Sequence, residues 1–191
     1  MKKLIVFFML LITCKVSLAQ WAVDKGHSKV AFIVNHHGIS EVDGSFKKYE
    51  VVITTAKEDL SDLAFEVTVE TASITTDLEP RDNHLKSADI FDVQKFPTLT
   101  FKSTSIKKVK GNEYKMTGLF TLKGITKEIT LDVIMNGPVE NPNKNAKNVQ
   151  VGIKATGKIK RSEFKLGENL PVAFVSDEVQ IRVTGEFNKP L

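Results

Sequence analysis

Between Trp21 and Phe187, apolar and polar side chains alternate one by one, in segment after segment. Val30, Phe32, Val34 and His36 share one parity, and Phe65, Val67 and Val69 stand between Glu66, Thr68 and Glu70. The rhythm returns in Tyr114, Met116, Gly118, Phe120 and Leu122, then in Ile129, Leu131, Val133 and Met135. It returns again in Val149, Val151, Ile153, Ala155, Gly157 and Ile159, and last in Val179, Ile181, Val183, Gly185 and Phe187. Successive side chains of a strand point to opposite faces, so a period of two predicts strands with one dry and one wet face. The intervening positions are mostly Lys, Thr, Glu and Asp, as a wet face requires.

Gly111-Asn112 and Gly124 mark hairpin turns, and residues 136–148, with Pro138 and Pro142, read as a polar loop. About eight strands result. One stretch, Pro80 to Asp92, breaks the alternation: Leu85, Ala88 and Phe91 recur every third residue, and Asp82 or Asn83 is placed to cap one or two helical turns. Eight strands with so little helix to cover them must close on themselves or pair as two sheets. Gly118, Gly152, Gly157 and Gly185 lie within strands and admit two readings. They can serve bends needed for closure, or withhold side-chain volume and leave a cavity, since an eight-stranded barrel is just wide enough for one small ligand. The pattern alone does not separate them.

Residues 1–19 read as a signal peptide: Lys2 and Lys3, an apolar run from Leu4 to Ile12, then Ser17-Leu18-Ala19 before the expected cleavage. The run is too short to span a membrane. A lipid anchor at Cys14 is the alternative, and Thr13 stands against it, because such sites usually carry Gly, Ala or Ser there. The expected mature domain, 20–191, has no cysteine, which removes disulfides and thiol chemistry together. The whole chain carries 27 basic and 23 acidic residues. Lys2, Lys3 and Lys15 lie in the signal segment, so the mature domain is close to neutral and nucleic acid is not an expected partner. The expected location is periplasmic or secreted.

Several blocks in fixed order carry a resemblance. They are His27-Ser28-Lys29-Val30-Ala31-Phe32-Ile33-Val34-Asn35-His36, Gly44-Ser45-Phe46, Ala72-Ser73-Ile74-Thr75-Thr76, and the run from Arg81 to Asp92. Phe96-Pro97-Thr98-Leu99-Thr100-Phe101-Lys102-Ser103, the run from Thr117 to Lys127, and Ala155 to Phe164 complete the set. In these blocks the chain resembles the polyisoprenoid-binding YceI-like family. The family usually has Arg-Ser-Asp-Phe-Gly in the last block, whereas Glu163 and Lys165 stand here. The resemblance implies an all-β, lipocalin-like antiparallel β-barrel carrying a polyisoprenoid or another long-chain amphiphile, such as a quinone, polyprenyl phosphate or fatty amide. It also tips the glycine question toward a cavity.

A chain of tens of carbons buried along a barrel would gain on the order of 20 kcal/mol gross, at about 0.8 kcal/mol per CH₂. The expected wall of such a bore is Phe32, Val34, Phe46, Phe65, Val67, Phe101, Met116, Phe120, Leu131, Ile153 and Val183. Phe91, Phe96 and Phe164, in non-strand segments, are placed for a lid, or else for a permanent seal over one end. His36 is a ligand contact or a satisfied interior group, and Arg81, His84 and Arg161 are head-group candidates, since guanidinium donates paired hydrogen bonds to oxyanions. Asp82 is expected to cap the helical turn and pair with an arginine.

No metal site is expected: His36 and His37 are adjacent on a predicted strand and should point apart. No cofactor is implied beyond the bound lipid. No nucleophile elbow or phosphate-cradling glycine loop occurs, so no catalytic residue is assigned and a binding protein is expected in place of an enzyme. An enzyme acting on such a lipid, or a surface interaction protein with a filled barrel, is the alternative. Transient membrane-surface contact and a homodimer stay open as partner expectations.

Overall fold

The computed structural model describes residues 19–191, so the expected signal segment apart from Ala19, with Cys14, lies outside the described residues. The chain forms β1 (Ala19–His36), β2 (Ser40–Phe46), β3 (Tyr49–Thr55), β4 (Ala64–Glu70) and β5 (Ile74–Thr75). There follow α1 (Glu79–Lys86), β6 (Thr98–Lys110), β7 (Glu113–Leu122), β8 (Ile125–Glu140), β9 (Asn148–Lys160) and β10 (Val175–Pro190). Every pairing is antiparallel, and β10 returns to pair with β1 from Ala22–Asn188 to His36–Val175, which closes the sheet. Closure pairs most of the sheet's edge groups, as protection against edge-to-edge aggregation requires.

Ten segments make eight staves. β2 and β3 lie against opposite ends of β1 as one stave bent at Lys47-Lys48, and β4 and β5 form a second stave broken by a 3-10 turn at Thr71–Ser73. The alternation read from the sequence is realised literally in β4, where Phe65, Val67 and Val69 are buried and Glu66, Thr68 and Glu70 exposed. The turns at Gly111 and Gly124 form as expected. The expected loop from 136 is a correction: β8 runs on through Pro138 to Glu140, and only 141–147 is loop.

One end of the barrel is plugged. The connection 56–63 carries Leu60 and Leu63 into the core, and Trp21 is buried at the same end. Above them Phe65 and Phe187 meet edge-on across the interior with centroids 6.2 Å apart, at 2% and 1% exposure. The other end is spanned by the long connections 76–97 and 161–174. Toward that end β8 and β9 part, since their pairing stops at Asp132–Thr156. The gap is floored by Phe164, which is fully buried and edge-on to Phe120 at 5.4 Å.

Candidate functional site

A cavity of about 300 Å³ opens at the end opposite the plug. Its wall comes from one end of six staves and from both spanning connections: Phe32 and Val34 on β1, Phe46 on β2, Leu99 on β6, Phe120 on β7, Ile159 on β9, Ile181 on β10, Leu85, Ile90 and Phe91 from 76–97, and Leu166 and Leu170 from 161–174. Accessibility follows the same boundary. Inward residues of β10 are half-buried at Val179 and Ile181, where they face the hollow, and fully buried at Phe187 in the packed half.

The expected bore through the whole barrel is therefore corrected to a cup at one end. Of the expected wall, Phe32, Val34, His36, Phe46, Phe91 and Phe120 line it. Phe65, Val67, Phe101, Met116, Leu131 and Ile153 are buried in the packed half beneath it, and Val183 packs against that core without reaching the cavity. The reason lies in the glycines. A Cβ at Gly118 would stand 2.5 Å from the Phe101 ring and 2.6 Å from the Lys102 carbonyl, and Leu131 likewise fills the space over Gly157. The missing side chains make room for neighbouring ones, which is how bulky residues compensate strand glycines.

The three loop phenylalanines divide. Phe91 is buried edge-on to Phe46 at 6.0 Å and belongs to the cavity wall. Phe164 is fully buried beneath the gap between β8 and β9 and does not line the cavity. Phe96 is half-buried over Gly124 of the β7–β8 turn and does not reach the cavity.

Polar groups gather on the rim. Thr76, Arg81 and His84 come from one connection, His36 from the end of β1, and Arg161 from the end of β9. Arg161 is 5% exposed, and all five of its N–H groups donate to backbone carbonyls: Nε to Ser176 (3.1 Å), Nη1 to Leu166 (3.3 Å) and Gly167 (2.7 Å), Nη2 to Leu170 (2.6 Å) and Val175 (3.1 Å). It pins the 161–176 connection and has no donor left for a ligand, which removes it as a direct head-group contact. Arg81 is different. Its Nε donates to the Thr76 hydroxyl (2.6 Å) and Nη2 to the Thr76 carbonyl (2.9 Å), which leaves Nη1 without a partner among the described residues.

Asp82 neither caps α1, whose N-cap is Leu78, nor pairs with an arginine. It sits in the first turn and accepts from the Thr75 hydroxyl (2.7 Å), the Thr76 amide (2.7 Å) and the Thr76 hydroxyl (2.6 Å). Burial acts to raise its carboxyl, and these hydrogen bonds outweigh that, so its pKa lies below the ordinary carboxylate value. The Thr76 hydroxyl thus gives its proton to Asp82 and its lone pair to Arg81, holding both in place. His84 is exposed and lies 3.9 Å from Asp89.

His36 and His37 do not point apart. β1 ends at His36, and His37 takes a left-handed conformation (φ 55°) that swings its ring onto His36, centroids 3.9 Å apart, and toward Phe174 at 5.2 Å. Ile39 (86% exposed), Val172 and Phe174 (55% exposed) stand out from the turns at this end. At the far end of β1, Asp24, His27 and Glu186 bring three ligand-type atoms within 4.8 Å of one another on an exposed bulge. There Asp24 accepts from His27 Nδ1 (3.0 Å), which lifts the imidazole pKa above its ordinary value.

A closed eight-stave barrel with this order of motifs is matched by the YceI-like domain, over residues 21–187. The chain belongs to the YceI-like family. It is 37% identical over 171 residues to Protein YceI of Salmonella arizonae, covering 87% of this chain and 86% of that one. The Campylobacter jejuni YCEI protein shares the fold at TM-score 0.73 and 32% identity, over 80% of this chain and 88% of that one. BcnA of Burkholderia cenocepacia does so at 0.75 and 27%, over 86% and 98%. A polyisoprenoid binding domain from Saccharophagus degradans, at 14% identity, has the same fold with TM-score 0.62, over 91% and 100%. Where the YceI-like pattern usually has glycine, Lys165 here adopts the left-handed conformation (φ 53°) that glycine enters without penalty.

Proposed function

We propose that the protein binds a long-chain amphiphile by taking its apolar tail into the open-ended cup, and that it does so in the periplasm or after secretion. The observation that carries this is a cavity of about 300 Å³ whose wall is almost wholly aliphatic and aromatic, with His36, Thr76, Arg81, His84 and Arg161 as its few polar members. That is the division of labour of a small-molecule site, at the lower end of the usual ~300–1,000 Å³. Lipid binding is in keeping with the polyisoprenoid-binding name of the Saccharophagus degradans structure, and the apolar run before Gln20 supports export.

The volume sets a scale. At about 30 Å³ per water-sized group the cup holds about ten methylenes. Their burial is worth about 8 kcal/mol gross at ~0.8 kcal/mol each. Association alone costs about 4–15 kcal/mol. The tail by itself therefore binds modestly, and the rim decides affinity. Ile39, Val172 and Phe174 around the opening suit a transient contact with the bilayer from which such a molecule is drawn.

Binding without turnover is the reading the cavity supports. Among the described residues no carboxylate lines it, and Asp82, from the same connection as Arg81 and His84, is directed to Thr75 and Thr76.

The test is native mass spectrometry of protein purified from its own source, followed by displacement of a fluorescent fatty acid from the emptied protein. Co-purification of a chain-like molecule and saturable displacement are expected. Repeated recovery of empty protein that takes up no probe would overturn the proposal.

A further inference from the structure

On the reading that the cup holds an amphiphile's tail, we infer that the head it selects is an oxyanion, a carboxylate or phosphate, received by Arg81 in the field of the buried Arg161. Among the described residues the cavity wall carries two guanidinium groups and no Asp or Glu. None of the nine ion pairs among the described residues involves either arginine. The wall of the cup therefore presents positive groups and no negative one, while the nearby carboxylates of Asp82 and Asp177 are bonded to Thr75, Thr76 and Ser162 and stand outside the lining.

The two arginines divide the work. The five carbonyls around Arg161 satisfy its hydrogen-bonding demand, but carbonyls are dipoles and bring no net charge. Asp177, held by Ser162, is near enough for its charge to act on Arg161, but it does not line the cavity, so on the wall itself Arg161 presents only positive charge. Arg161 thus sets the sign of the potential without touching the guest. Arg81 is half-buried on the rim, oriented through Thr76, and keeps Nη1 free of any partner among the described residues. Asp82 offsets part of its charge across the shared Thr76 hydroxyl, but that carboxylate is bonded to Thr75 and Thr76 and does not line the cavity, so Nη1 of Arg81 is the group offered to a guest.

A neutral head can accept a hydrogen bond from Arg81 but brings no charge of its own. An oxyanion makes the same bond with both partners charged, which is the stronger kind. An ammonium head is repelled. His36 and His84, also on the rim, add to the positive side if protonated and never to the negative.

Four probes of one tail length test this: decanoate, decyl phosphate, decanol and decylamine, titrated calorimetrically into the emptied protein at neutral pH. Decanoate or decyl phosphate should bind at least about tenfold more tightly than decanol, about 1.4 kcal/mol. Decylamine should bind most weakly. The two anions distinguish a carboxylate from a phosphate head. In R81Q the ratio of anion to decanol affinity should collapse toward one, and R81K should restore most of it. Decanol binding as tightly as both anions, or an R81Q ratio equal to that of the unaltered protein, would overturn the inference while leaving lipid binding intact. Failure of all four to bind would overturn lipid binding itself, and the inference with it.

Discussion

The far edge of the Phe32 ring rests on Gly44, its direct partner across the β1–β2 pairing, in the space where any other residue would place its Cβ. Phe32 is also part of the cavity wall, so this backbone glycine sets how far the ring intrudes on the guest. Gly44→Ala must push the ring inward. A loss of about 1–3 kcal/mol is expected from overpacking, together with a preference for shorter tails. Phe32→Ala should favour longer tails, with a stability loss below the ~3–5 kcal/mol of a fully buried ring. Displacement titrations with a homologous series of fatty acids read the first effect, and urea unfolding followed by the single Trp21 reads the second.

Gly118 behaves otherwise, because it lies beneath the cup. Its missing Cβ leaves room for Phe101 and for the Lys102 carbonyl, and a backbone carbonyl cannot step aside. Gly118→Val should lower stability by about 1–3 kcal/mol. At about 2–4 °C per kcal/mol for a chain of this size, calorimetry will resolve it. The tail-length preference should not change. An unaltered melting temperature with an altered preference would place a hollow where the structure has a ring.

Arg161→Met removes five donors at once and leaves the carbonyls of Leu166, Gly167, Leu170, Val175 and Ser176 to find water. A destabilisation of about 2–5 kcal/mol is expected. Amide exchange should rise across 161–176 and little elsewhere. Arg161→Lys should recover only a fraction, since one ammonium cannot reproduce the fork.

Asp82 gives the fold a pH dependence of known sign. Its carboxyl is depressed in the folded state, so the stability it contributes is fully present above its unfolded pKa of about 3.9. That contribution is lost as pH falls through the lower folded value. Urea midpoints measured downward from neutral pH should fall more steeply for the unaltered protein than for Asp82→Asn below that range. Thr76→Val, which removes the hydroxyl that Asp82 and Arg81 share, should lessen the acid sensitivity and cost about 1–3 kcal/mol at neutral pH.

The strands were legible because each is wet on one side. A period of two cannot be mistaken where Phe65, Val67 and Val69 alternate with Glu66, Thr68 and Glu70. The extent of the hollow was not legible. It depends on which rings meet across the barrel, and Phe65 on β4 and Phe187 on β10 are far apart in the chain. Nor could the order of residues show that His37 folds back on His36, because alternation holds only while a strand continues and β1 stops there. Arg161 and Arg81 look alike in sequence. Only the carbonyls that converge on one of them separate a structural staple from a free donor.

The plug at the Trp21 end has a consequence for exchange. Any guest longer than the hollow is gripped by one extremity while its remainder trails outside. If the proposed function holds, that trailing part stays outside the barrel while the gripped part is sheltered, so only a portion of the hydrocarbon is ever hidden from its surroundings.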